Sequence, residues 1–109
     1  KQAPFAESEP GLSSIETVLP LMLQLEREAL LPLDVIIRAL SAGAAGVLGV
    51  TGGSLAEGSS ADVCIFDPAK KWLVTDDTLK SLGKSTPWKG KELQGVVINT
   101  LVDGKLVYA

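Results

Sequence analysis

The stretch that decides the fold is Gly52-Gly53-Ser54-Leu55-Ala56-Glu57-Gly58-Ser59-Ser60-Ala61-Asp62-Val63-Cys64-Ile65-Phe66-Asp67, near the middle of the chain. Its glycines and serines are typical of turns, whereas residues 61–66 are apolar and partly β-branched, which predicts a short strand. Asp62 lies at the start of that strand, and Asp67 directly follows it. We interpret both as structural, with Asp62 bonding turn amides and Asp67 preceding a proline turn.

More strands are predicted after this stretch. Residues 72–75 are interpreted as a second strand and residues 76–95 as a long loop with several glycines. Residues 96–102 and 105–108 give the clearest hairpin, because Asp103-Gly104 supplies the positive backbone dihedrals of a tight turn.

The residues before Gly49 have helical patterns instead. Ser13 and Glu16 have the spacing of a capping box, and apolar residues follow at the spacing of one helix face. A largely buried helix is expected over about residues 14–31, with Pro32 ending it. Pro20, inside that helix, should remove a hydrogen bond and introduce a kink at a cost of ~3 kcal/mol.

Two shorter helices and a loop complete the expected elements. A second helix should begin near Asp34, which is a good N-cap, and a third turn or helix is expected over residues 41–48. Residues 1–12 are interpreted as a loop. Because helices precede short antiparallel strands, the sequence predicts an α+β chain of two parts, residues 1–50 and residues 51–109.

Composition narrows the class of protein. The 109 residues are 46% apolar and 21% charged with a net charge of −3, which is ordinary globular composition. A core this small is thin, so exposed apolar faces are expected to dock on something else. No basic stripe suggests nucleic acid, and no apolar run reaches the ~20 residues of a membrane span. The chain begins with Lys1, without the pattern of a signal peptide, and we expect it to be a piece of a longer protein.

Histidine and cysteine limit the chemistry of the chain. The sequence has no histidine, so these residues alone are not expected to assemble a histidine-based zinc or general-base site. The single cysteine, Cys64, excludes an internal disulfide and a cysteine zinc cluster. Its apolar neighbours favour a small buried core residue, and one reduced cysteine fits a cytoplasmic protein.

Three stretches and the closing hairpin resemble the C-terminal third of cyclic amidohydrolases. Residues 52–67 are similar to the segment that forms strands of that family's small β-domain. Residues 81–95 resemble the dihydroorotase pattern Ser–x–x–Lys–Asn–Thr–Pro–Phe–x–Gly–x–x–Leu–x–Gly, of which allantoinases and hydantoinases carry a variant. Residues 3–11 and 15–21 look like the dihydroorotase run from Pro–Phe to Glu–Thr–Ala–Leu–Pro–Leu, and this resemblance accounts for Pro20. The closing residues 96–108 match the terminal hairpin of the same group.

This resemblance implies a metal-dependent hydrolase with a (β/α)8 barrel. Residues 1–50 would supply its last helices, and residues 51–109 part of a small antiparallel β-sandwich. Dihydroorotases interconvert carbamoyl aspartate and dihydroorotate in de novo pyrimidine biosynthesis, using a metal-bound hydroxide. The family's zinc ligands and its proton-transferring aspartate would precede Lys1, so no catalytic residue, metal ligand or cofactor is predicted within this segment.

One functional loop of the family falls inside the chain. In dihydroorotases an Ala–Pro–x–Gly stretch lines the substrate pocket through backbone groups, and the matching positions are Ser8, Glu9, Pro10 and Gly11. Pro10 and Gly11 are the predicted substrate-binding residues, in a loop altered at Ser8 and Glu9. The added carboxylate of Glu9 would lie near an anionic substrate, and like charges repel.

Several readings follow from this resemblance. The parent is an active dihydroorotase, or a non-catalytic homologue that acts as a structural partner of aspartate carbamoyltransferase, which the altered loop favours. A third reading is another cyclic amidohydrolase, such as an allantoinase or hydantoinase. A free-standing β-domain is disfavoured, because the helices need a barrel to pack on. The expected partners are the remainder of the barrel and further copies in a homo-oligomer, without nucleic acid or membrane.

Overall fold

Three helices precede a three-stranded antiparallel sheet in the computed structural model, which describes residues 4–7 and 11–109 without the Phe5 side chain. The helices are α1 (Val18–Arg27), α2 (Leu33–Leu40) and α3 (Ala42–Leu48), and single 3-10 turns lie at Phe5–Glu7 and Ile15–Thr17. The strands are β1 (Val63–Leu73), β2 (Glu92–Val102) and β3 (Lys105–Tyr108), in the order β1-β2-β3. The predicted α+β class and the third helix are confirmed.

The start of α1 differs from the prediction. The N-cap, Thr17, makes no side-chain cap, and its hydroxyl donates to the Ser14 carbonyl at 2.9 Å. The capping box of Ser13 and Glu16 is wrong, because the Glu16 carboxylate accepts backbone amides from a distant loop. The expected kink at Pro20 is also wrong. Pro20 lies in the first turn of the helix, where the amide has no intrahelical acceptor to lose.

Helix α1 also ends earlier than residue 31. Its last residue is Arg27, and Ala29 then takes a left-handed φ of 56°. The amide of Leu30 donates to the Leu25 carbonyl at 2.9 Å. This C-terminal cap satisfies one of the last carbonyls of the helix before the chain reaches Pro32. Pro32 instead occupies the N-cap of α2, so Asp34 lies in the first turn rather than at the cap.

Strand β1 is one strand where two were predicted. It runs from Val63 to Leu73 and pairs with β2 on both sides of an interruption at residues 68–70, with register shifts that mark bulges. At the second bulge the Asp67 carboxylate accepts the amides of Ala69 and Lys70 at 2.8 and 3.1 Å. The turn expected after Asp67 therefore forms inside the strand, and pairing with β2 resumes at Lys71.

Strands β2 and β3 form the predicted hairpin. Asp103 and Gly104 have φ values of 50° and 75°, the positive pair of a two-residue turn. The Asp62 carboxylate accepts the Asp103 amide at 2.8 Å, and the Gly104 amide donates to the Ala61 carbonyl at 3.1 Å. The structural role predicted for Asp62 is confirmed. Strand β2 begins at Glu92, earlier than expected.

Helix α1 packs on β2 at a glycine. Gly95 has a φ of 121°, and a Cβ there would lie 2.7 Å from the Leu23 Cδ1 atom and 3.4 Å from the Pro20 Cα atom. Leu23 is 2% exposed at this contact. A small apolar cluster of Val74 and Leu79 with Leu93 lies beside it, so the core sits where α1 meets the sheet.

The molecule is elongated and thinly packed. Its radius of gyration is 16.0 Å, against ~13 Å for a compact domain of about this size. Cys64 is exposed, so the prediction that it is buried is wrong. It lies on β1, an edge strand that packs mainly on β2. Among the described residues no helix has the length and apolarity to cross a membrane.

Candidate functional site

The predicted substrate loop is described at one of its four positions. Ser8, Glu9 and Pro10 lie outside the described residues. Gly11 is exposed and has a φ of 93°, and a Cβ there would meet no atom within 4 Å. Gly11 therefore stands in an open, left-handed conformation, and the substrate role of the four positions stays a prediction.

The segment that follows Gly11 is fastened to a loop from the other end of the sequence. We call residues 11–17 the N-terminal segment and residues 79–86 the clasp loop. The Ser13 amide donates to the Ser85 carbonyl at 2.7 Å. The Glu16 carboxylate accepts the Lys80 amide at 2.8 Å through Oε2 and the Ser81 amide at 2.6 Å through Oε1. Both oxygens of one carboxylate are thus used to hold the clasp loop.

The clasp stabilises the charged form of Glu16. Partial burial by itself would raise the pKa of this carboxyl. The backbone amide of Lys80, the amide and hydroxyl of Ser81 and the nearby positive charge of Lys84 outweigh that effect and lower the pKa below its ordinary value. The carboxylate therefore accepts its hydrogen bonds as an anion, which makes them stronger than bonds between neutral groups.

Hydrogen bonds among its own residues hold the clasp loop in shape. Lys84 Nζ donates to the Leu79 carbonyl at 2.6 Å, and the Thr86 amide donates to the Lys84 carbonyl at 3.1 Å. Leu79 is 5% exposed in the small apolar cluster, against which Trp88 packs. The dihydroorotase-like motif at residues 81–95 thus folds, at its start, as a scaffold that holds another segment.

One departure from the family pattern is explained by this geometry. Ser85 stands where dihydroorotases usually have asparagine, and its side chain is exposed. The group that holds Ser13 is the Ser85 backbone carbonyl, which any residue supplies. The change to serine therefore leaves the clasp intact.

An open cleft of about 690 Å³ lies between α1, residues 77–81 and residues of all three strands. Its lining is mostly apolar and includes Leu19, Trp72, Val97 and Tyr108. The indole N–H of Trp72 is buried and has no acceptor among the described residues. Gly11 is not among the described residues that line the cleft. The cleft went unpredicted because its walls come from segments that are distant in sequence.

Within the described part of the chain, no three or more His, Cys, Asp or Glu side chains are grouped so that they could hold a metal ion, and the full sequence has no histidine. These residues do not fit the zinc that the resemblance implies for the parent protein. No chemical step is therefore assigned to a metal held by this chain.

Comparison with curated proteins gives dihydroorotases. The chain is 39% identical over 109 residues to the dihydroorotase of Trichlorobacter lovleyi, which is 100% of this chain and 26% of that protein. It is 41% identical over 99 residues to the dihydroorotase of Aquifex aeolicus, 91% of this chain and 24% of that protein. The chain thus spans about a quarter of the length of these relatives.

Comparison with solved structures gives hydantoinases. A D-hydantoinase superposes with a TM-score of 0.75 at 21% identity, covering 85% of this chain and 21% of the other, and shows the fold alone. The D-hydantoinase of Bacillus sp. AR9 gives a TM-score of 0.74 at 28% identity, covering 84% of this chain and 20% of the other. The profile described as "Amidohydrolase family" matches residues 10–107. Since that match takes in both the helices and the sheet, this chain belongs to the amidohydrolase family.

Proposed function

We propose that the protein carrying this chain is a dihydroorotase, a hydrolase of cyclic amides that interconverts carbamoyl aspartate and dihydroorotate in pyrimidine biosynthesis. The observation that carries the proposal is the 39% identity to a curated dihydroorotase over all 109 residues of the chain. In this proposal the segment itself supplies helices, a sheet and the predicted substrate loop, and it contributes no catalytic group.

The architecture we propose for the whole protein is a metal-dependent (β/α)8 barrel with a small β-sandwich domain. Residues 1–50 would complete the barrel and residues 51–109 would belong to the sandwich. In support, large apolar side chains of the helical part stand in water here, among them Ile15 at 81% and Val47 at 89% exposure. Apolar surface on this scale is typical of a face that another part of a protein covers.

For the site, we propose that Ser8, Glu9, Pro10 and Gly11 line the substrate pocket. Zinc and its ligands would come from the remainder of the barrel, and the protein would act in the cytoplasm as a homo-oligomer. Glu9 adds a negative charge beside an anionic substrate, which weakens binding unless a cation from the barrel offsets it.

The test is an assay of the full-length protein in both directions of the dihydroorotase reaction, with hydantoin and allantoin as competing substrates. We expect ring closure of carbamoyl aspartate and hydrolysis of dihydroorotate. Hydrolysis of hydantoin alone would favour the second candidate function, that of a hydantoinase. The structural likeness to the D-hydantoinase of Bacillus sp. AR9 supports this candidate.

A protein inactive on all three cyclic amides would sink the enzyme proposal. Co-purification with aspartate carbamoyltransferase would then decide for a non-catalytic homologue that acts as its structural partner, the reading that the altered Ser8-Glu9 pair favours.

A further inference from the structure

We propose that Glu16 is a positioning residue for Gly11, the described position of the predicted substrate loop. By joining the N-terminal segment to the clasp loop, its carboxylate restrains where Gly11 lies. This inference rests on the proposed function, which places residues 8–11 against the substrate.

Distance along the chain makes the coupling tight. Ser13 is held by Ser85, and Glu16 by Lys80 and Ser81, so both ends of a four-residue stretch are fixed. Gly11 is two residues from Ser13, and two residues span at most ~7 Å. The Ser13 anchor therefore limits how far Gly11 can move.

The clasp loop offers a fixed reference for this coupling. Its first residue, Leu79, is 5% exposed and packs with Val74 and Leu93 of the sheet part of the molecule. Its carbonyl also accepts the Lys84 ammonium, which closes the loop on itself. On the other side, Thr17 is fully buried at the start of α1. The N-terminal segment is thus held between a buried helix start and an anchored loop.

The chemistry of the contact requires two acceptor oxygens. Each oxygen of Glu16 takes one amide, that of Lys80 or that of Ser81. Glutamine has nearly the same shape but only one acceptor oxygen, and its NH2 group would face the second amide. Glu16→Gln therefore breaks the clasp with almost no change in side-chain volume.

The matched control is Glu26→Gln. Glu26 lies on α1, is exposed, and its carboxylate has no hydrogen bond or ion pair within residues 4–7 and 11–109. The same loss of charge, in the helix that follows the Ile15–Thr17 turn, then acts without the clasp. Glu16→Asp, which keeps the charge but shortens the reach, serves as a milder variant if Glu16→Gln fails to fold.

The experiment compares the full-length wild-type protein with these variants by hydrogen–deuterium exchange and steady-state kinetics. In Glu16→Gln we expect exchange in peptides covering residues 11–17 and 79–86 to rise together by about tenfold, as the loss of a charge-assisted bond implies. Exchange in β2 should not change. KM for dihydroorotate should rise about tenfold with kcat changed less, and Glu26→Gln should match the wild type.

Faster exchange in residues 79–86 alone, with residues 11–17 and KM unchanged, would overturn the inference. The joint rise in exchange would show that Glu16 couples the two segments even if the wild type neither forms nor hydrolyses dihydroorotate. That last result would refute the proposed function and leave the clasp standing.

Discussion

At Gly95, helix α1 lies against the backbone of β2 without room for a side chain. The nearest atoms to a built Cβ belong to Leu23 and Pro20, both buried, and the φ of 121° suits glycine. Two independent costs therefore meet at one residue, backbone strain and overpacking.

Gly95→Ala should lower the free energy of unfolding by about 2–6 kcal/mol, because strain and overpacking each cost on the order of 1–3 kcal/mol. The measurement is urea unfolding of the wild type and the variant. Gly46→Ala is the control, since its Cβ would meet nothing within 4 Å inside α3. It should stabilise by about 0.5–1 kcal/mol, and equal losses in both variants would contradict the close contact at Gly95.

The pH dependence of stability should report Glu16. Its pKa in the folded protein is below the ordinary 4.5, so the folded state binds fewer protons than the unfolded state as pH falls. The stabilisation by Glu16 is fully present above the ordinary pKa and is lost as pH falls through the lowered pKa. Urea unfolding from about pH 6 to about pH 3 should show a steeper loss in the wild type than in Glu16→Gln. Parallel profiles would argue against the clasp.

At the scale of elements, the hairpin and the order of the helices and strands could be predicted because their causes are local. Asp103-Gly104 sets the turn by itself, and apolar spacing sets each helix. The capping box could not be judged from the sequence, because the true partners of Glu16 lie 64 and 65 residues away. The continuity of β1 could not be predicted either. Pro68 indicates a turn, and in the structure that turn forms a bulge at Asp67, after which pairing with the distant strand β2 resumes.

The link between β1 and the hairpin gives a prediction for these elements. Asp62→Ala removes the acceptor of the Asp103 amide and should cost about 1 kcal/mol, since the bond is exposed to water. Thermal unfolding followed by circular dichroism measures the effect. Asp77→Ala is a suitable control, because Asp77 is an exposed carboxylate outside the strands. An unchanged Tm in Asp62→Ala would mean that the turn holds without this bond.

The candidate site, like the elements, could be predicted from the sequence only in part. The sequence motif at residues 81–95 could be identified without the fold, through its resemblance to dihydroorotases. Its physical role as a clasp required the fold, because Ser85 acts through a backbone carbonyl that no side-chain pattern announces.

The molecule as a whole is thinly packed and exposes apolar surface, which supports our proposal that other parts of a longer protein cover it. Cys64 provides a chemical test. Its thiol is exposed here, on an edge strand, with Ile65 beside it at 48% exposure. In the chain of residues 1–109 it should react with a thiol reagent nearly as fast as in urea. If the sheet is covered in the full-length protein, the reaction there should be at least about tenfold slower, since reaction requires access to the thiolate. Equal rates in the two proteins would contradict a covering layer over β1.

The span of the clasp also has a consequence for synthesis. On the ribosome the N-terminal segment emerges long before its partners, because the amides that hold Glu16 follow it by 64 and 65 residues. At translation rates of about 5–20 residues per second, that delay is about 3–13 s. During this interval Gly11 and its neighbours have left the exit tunnel without their anchor. The N-terminal segment is thus among the first parts of this chain to be made, and it stays without its anchor until most of the chain has followed.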